Sequence, residues 1–310
     1  MEDKGLSAVI RDGEPSVNIP SWFDSRLREG GTGWLWAVFA VFGTFSVVYT
    51  GLLVKASVNG SSSLRHKYTG PLLVALEFTF AYFTYASNLG WTGIAVPANG
   101  SAEVWTPETG TNWRQVFYSK YIAWFLGFPI VHYLFEFNGV VAAASTASWS
   151  FGDLIHSFSL IVLGTEFFIV GLLAGSFVPT VYKWGYWAFS ALAVLTSGGI
   201  AVNHHAKVLR TSALLHPPLY ATHISSALYL VCWGLAEGTN ILTPNQESIF
   251  YGILDMVVFG IIPAALTILS RINEGNLPSW SLFKRKMFDL EKGGGARSGE
   301  TIESDHEPVE

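Results

Sequence analysis

The stretch from Glu247 to Ser270 (ESIFYGILDMVVFGIIPAALTILS) constrains this chain most. At roughly 1.5 Å per residue, its length of about 24 residues crosses a bilayer as one helix. Past the first turn it holds a single charged side chain, Asp255. A carboxylate at membrane depth costs at least about 2.5–3.5 kcal/mol unless it faces a partner or a cavity. Asp255 therefore predicts a protein interior with something polar opposite it. Phe259 follows one turn later on the same face.

Apolar blocks of similar length recur along the chain, separated by short polar linkers, at about 34–54, 69–93, 115–138, 150–174, 181–203, 217–236 and 247–270. Only 13% of the 310 residues are charged and 50% are hydrophobic, against about 25% charged in an ordinary soluble domain. The expected fold is all-α, a bundle of seven transmembrane helices with sequential helices antiparallel. Residues 1–33 form a polar outer tail, 34–270 the membrane domain, and 271–310 a cytosolic tail expected to be disordered. The first residues (MEDKGLSAVI) lack a basic segment followed by an apolar core, so no cleaved signal peptide is expected. Cys232 is the one cysteine, which rules out an intramolecular disulfide.

Seven spans put the termini on opposite sides. With the N-terminus outside, Lys55, Arg65, Lys67, Lys207, Arg210, Arg271, Lys284, Arg285 and Lys286 lie inside. Only Arg26, Arg28, Arg114 and Lys183 then lie outside. The excess of inner cations favours N-out and C-in. Asn99 then falls in an outer loop as a glycosylation candidate, a weak three-residue signal. The bilayer is the expected partner, with homo-oligomerisation an open alternative; nothing points to nucleic acid.

The third span reads Lys120-Tyr121-Ile122-Ala123-Trp124-Phe125-Leu126-Gly127-Phe128-Pro129. Lys120 sits inside the outer third of that helix, and a Lys120–Asp255 ion pair would relieve both charges. This span resembles that of the microbial rhodopsins, whose motif there is Arg-Tyr-x-Asp-Trp-x-x-Thr-x-Pro. The segments from Tyr229 to Gly238 (YLVCWGLAEG) and from Phe250 to Asp255 (FYGILD) look especially like fungal members. Three separated motifs fall in the right helices and in order, over roughly residues 34–270.

The departures from that family carry the functional reading. By the resemblance, the retinal-bearing lysine falls on Phe259, which cannot form a Schiff base. The proton-acceptor aspartate falls on Ala123 and the proton-donor carboxylate on Leu134; Lys120 stands for the arginine, Gly127 for the threonine and Leu230 for a proline. The pattern is similar to that of fungal opsin-related, heat-shock-type membrane proteins without the lysine, so no covalent retinal is expected. Pocket positions that persist are Tyr82, Trp124, Trp187, Ser190, Tyr229, Trp233 and Asp255. Ser226 replaces a tryptophan, whereas Phe128, Phe168, Leu172 and Phe259 add bulk where the chromophore would lie, predicting a short, divided space.

His132 and Glu136 share a face of the third helix and Asp153 and His156 one of the fourth, a candidate inner-half cluster. Glu77 and Glu166 sit mid-span with no assigned partner. His204, His205 and His216 border the inner fifth–sixth loop, without the carboxylate or cysteine company that a metal site needs. No nucleophile–base pair appears, so an enzyme is not expected. The resemblance implies a retinal-independent, non-pumping opsin-related protein of the fungal plasma membrane with a structural or stress-related role. The alternatives are a carrier or sensor holding an apolar ligand among Trp124, Trp187, Tyr229 and Trp233, or a residual proton or ion pathway.

Overall fold

The computed structural model describes residues 25–97, 111–141, 143 and 149–272. The two expected terminal tails, apart from residues 25–33, 271 and 272, and Asn99 lie outside the described residues. Seven long helices follow one another: α1 (Glu29–Val58), α2 (Ser62–Ala86), α3 (Ser119–Val141), α4 (Phe151–Ser176), α5 (Lys183–Val208), α6 (Ala213–Gly238) and α7 (Pro244–Ile272). Five of them, α1, α4, α5, α6 and α7, are long and apolar enough on their own to cross a membrane. The other two, α2 and α3, hold several of the interior polar groups, among them Lys67, Tyr82, Lys120, His132 and Glu136.

Local chemistry sets the helix ends. Ser150 and Asp153 form a reciprocal cap on α4, with each backbone N–H donating to the other's side chain at 3.0–3.1 Å. Thr243 and Gln246 do the same for α7, and Pro244 supplies the pre-set first turn. The second and third spans differ from expectation. Helix α2 stops at Ala86, Asn88 and Gly90 take left-handed backbone angles (φ 57° and 68°), and the chain leaves as a strand. That strand, β1 (Trp91–Pro97), pairs antiparallel with β2 (Thr111–Phe117), from Trp91 opposite Phe117 to Pro97 opposite Thr111. The expected spans overlap only the two ends of this hairpin, residues 91–93 and 115–117, and the rest of it falls in the expected linker.

The interior is aromatic. Trp124, Phe128, Tyr229 and Trp233 are buried to 0% exposure, whereas Val47, Phe80 and Phe189 on the outside are more than 70% exposed. A large-residue apolar exterior of that kind suits lipid, not water. Glycines set the closest approaches. A Cβ on Gly127 of α3 would lie 2.7 Å from the Phe78 ring and 3.0 Å from the Phe259 ring. One on Gly175 of α4 would lie 2.9 Å from Trp233.

Each of α5, α6 and α7 contains a wide π turn, at His204–Val208, Gly234–Gly238 and Met256–Ile261. Each π turn carries polar or aromatic interior side chains: His204 and His205, Glu237, and Phe259. Such turns re-aim side chains at the cost of regular bonding and are frequent at functional sites.

Candidate functional site in the bundle interior

The buried polar groups lie in three layers. The first is at the hairpin end. Gln115 of β2 ties the hairpin down by donating to the Asn88 side chain at 2.6 Å and accepting from the Leu27 N–H at 2.9 Å. Its neighbour Arg114 thereby points into the bundle, only 1% exposed, donating to Glu247 at 2.6 Å and to the Leu242 carbonyl at 2.7 Å. Burial works against the Arg114 charge, but Glu247 and Glu237 outweigh it and hold the guanidinium above its ordinary pKa.

Lys120, in the first turn of α3, donates to Glu237 at 2.5 Å and to Glu247. Tyr121 also donates to Glu237, at 2.9 Å, and the Lys120 ammonium lies 4.6 Å from the centre of the Tyr251 ring. Two cations and two carboxylates thus form a buried quartet whose formal charges cancel. Each member removed singly would strand a partner, which is costlier than the absence of both.

Asp255 anchors the middle layer. It accepts hydrogen bonds from Tyr82 at 2.6 Å, from Trp124 at 2.9 Å and from Tyr229. The expected Lys120–Asp255 ion pair is therefore corrected: each has other partners. The reason is depth. Asp255 lies eight residues beyond Glu247 on α7, about 12 Å further in, while Lys120 sits one turn before Trp124 on α3. Lysine meets the glutamates at its own level, and Trp124 serves Asp255.

Below Asp255 lies a layer of rings. Phe259 stacks on Phe78 with centroids 3.9 Å apart and meets Phe128 edge-on at 5.0 Å. Phe128 in turn meets Phe168 at 6.5 Å and Tyr229 at 6.1 Å. Of the candidate pocket residues, Tyr82, Trp124, Phe128, Phe168, Tyr229, Asp255 and Phe259 share this centre. Trp233 is joined to α4 instead, donating to the Leu172 carbonyl and the Ser176 hydroxyl. Trp187 donates to the Leu230 carbonyl at 3.0 Å, and Trp184 stands between it and Trp233, within about 6 Å of each. Ser190 packs under Gly171, and Ser226 bonds within its own helix to the Thr222 carbonyl.

The third layer lies toward the other end. His132 bonds Thr165 at 3.0 Å, and Thr165 bonds Ser197 at 3.0 Å. Glu136 meets His204 at 3.1 Å and His205 at 3.6 Å, both presented by the π turn of α5. The expected grouping of His132 and Glu136 with Asp153 and His156 is thus replaced. Asp153 is an exposed helix cap and His156 is exposed, while the partners come from α4 and α5. Among the described residues no group of three His, Cys, Asp or Glu side chains has the geometry of a metal site. Glu166 keeps both carboxylate oxygens, and Glu77 one, without a protein partner.

Arg114, Glu237, Glu247 and the two histidines of α5 were missed as site residues. Arg114 reads as a loop cation, and the glutamates as residues at span edges. The available signal was the pair of acids, Glu237 and Glu247, flanking the short loop between α6 and α7.

The seven-helix bundle has the fold of the microbial rhodopsins. A light-driven proton pump from Leptosphaeria maculans superposes with a TM-score of 0.65 at 22% identity, covering 79% of this chain and 95% of the other. Halorhodopsin, a light-driven chloride pump, does so with a TM-score of 0.65 at 16% identity, over 81% and 98%. These likenesses establish the fold alone. No family model matches the chain. The 30 kDa heat shock protein of Saccharomyces cerevisiae is 38% identical over 288 residues, 91% of this chain and 85% of that protein. The opsin-like protein carO of Fusarium fujikuroi is 31% identical over 253 residues, 76% and 73%. The chain belongs to this fungal family of opsin-related membrane proteins.

Proposed function

We propose that the chain is a retinal-independent, non-pumping opsin-related protein of the fungal plasma membrane, with a structural or stress-related role and no enzymatic activity. Its N-terminus faces outside and its C-terminus the cytosol, since Lys55, Arg65, Lys67, Lys207, Arg210 and Arg271 gather at one end. The observation that carries the reading is Phe259. Its ring fills the space between Phe78 and Phe128 beside Gly127, and α7 contains no lysine.

Lys120, the buried lysine nearest that centre, is bound by two glutamates. Ala123 and Leu134 offer no proton-accepting or proton-donating side chain on α3. The aromatic layer also separates the Asp255 group from the histidine group, which supports a closed interior over a proton path or an apolar-ligand carrier. The name of the 30 kDa heat shock protein supports the stress-related role. The test is illumination of sealed vesicles containing the chain and added all-trans retinal. No light-dependent pH change is expected, and a reproducible one would refute the non-pumping reading.

A further inference from the structure

At the basic end of the bundle, the surface between α2 and α3 opens into a groove of about 370 Å³. His66, Thr69, Gly70 and Leu73 of α2 line one side, and Pro129 and Tyr133 of α3 the other. Gly70 makes the floor, because a Cβ there would lie 2.7 Å from Leu134, so the two helices touch at depth. Leu73 and Tyr133 stand half-exposed on either side. From His66 to Leu73 the groove runs about 10 Å along the helix axis, within one leaflet.

The mouth of the groove is cationic. Arg65 is exposed one turn before Thr69, whose hydroxyl donates to the Arg65 carbonyl at 2.8 Å. Lys55 at the end of α1 and Arg271 at the end of α7, which bonds Tyr68, are exposed at the same end but on the α1 side of α2, away from the groove. No acidic residue occurs between Gly30 and Leu76, or between Met256 and Ile272. Glu136 is turned inward to His204 and His205. Arg65 is therefore the exposed cation beside the groove, and α2 carries no acidic residue from Ser62 to Leu76. An apolar trough below a cationic rim matches an amphiphile with an anionic head.

We propose that this groove seats an anionic glycerophospholipid, one acyl chain in the α2–α3 crevice and its phosphodiester against Arg65 and the His66 edge. This goes beyond the proposed function and holds whether or not retinal binds. The charged rim sets the choice, since a sterol would use the trough and leave Arg65 unengaged.

The test is native mass spectrometry of the delipidated full-length chain, titrated with phosphatidylserine, phosphatidylcholine or ergosterol. Phosphatidylserine should bind about tenfold more tightly than phosphatidylcholine, as expected for one or two cations acting on one anion. Arg65→Gln should remove that preference while leaving chain binding intact. Leu73→Trp, which fills the trough from its exposed side, should weaken both phospholipids. Arg65 is a surface side chain, so its variant keeps the test open if Leu73→Trp fails to fold. Unchanged phosphatidylserine binding in Arg65→Gln, or ergosterol displacing phosphatidylserine at equal concentration, would overturn the proposal.

Discussion

Lys120 meets two carboxylates, and Arg114 shares one of them, so the smallest neutral unit at the hairpin end is four residues. Replacing Lys120 by Met leaves two buried glutamates facing one guanidinium. Loss of one partner from a buried pair costs about 3–5 kcal/mol, so Lys120→Met should lower the melting temperature in detergent substantially. Lys120→Met combined with Glu237→Gln restores the balance and should melt well above the single variant. A double variant no more stable than Lys120→Met would show that charge balance is not what holds the quartet. The need of Lys120 and Asp255 for partners was legible in the sequence, because a charge at membrane depth demands one. Which partners was not. Periodicity gives a residue's face on its helix, but its height relative to other helices depends on tilts and loop lengths. Eight residues separate Glu247 from Asp255, and that interval decided the pairing. The three donors on Asp255 were each visible as polar aromatic residues, yet Trp124 and Tyr229 read equally well as ordinary core packing.

Among the elements, the helices were legible to within several residues, because apolar length and capping residues mark them. The hairpin was not. Trp91–Pro97 is as apolar as a helix end, Thr111–Phe117 (TNWRQVF) reads as a polar loop, and only Asn88 and Gly90 signalled the break. The hairpin holds Arg114 in place through Gln115, so Gln115→Ala should loosen this end. The expected result is faster amide hydrogen exchange in residues 91–97 and 111–117, with α4 and α5 unaffected; equal exchange in both variants would contradict it. The approach of α3 to α7 makes a second element-scale prediction. Gly127→Ala pushes a methyl into the Phe78 and Phe259 rings and should destabilise by about 1–3 kcal/mol. Adding Phe259→Leu should recover part of that loss, because the leucine vacates the side where the clash arises. Additive losses in the pair would place the strain elsewhere.

Across the whole molecule, polar groups occupy both ends of the interior and an aromatic layer of Phe78, Phe128, Phe168 and Phe259 lies between them. If that layer is the barrier, thinning it should let water join the two halves. The Phe128→Ala, Phe259→Ala double variant in liposomes should show a higher passive proton leak than the unaltered chain, read with an entrapped pH dye. A leak unchanged by the double variant would place the barrier in another layer. The same layer bears on the account's central claim, that this bundle holds no covalent chromophore. The direct measurement is the visible absorption spectrum of the full chain expressed with all-trans retinal, followed by borohydride reduction. The account predicts the spectrum of free retinal and no reduced retinyl adduct on the protein. A band well to the red of free retinal that collapses into a covalent adduct on reduction would contradict it.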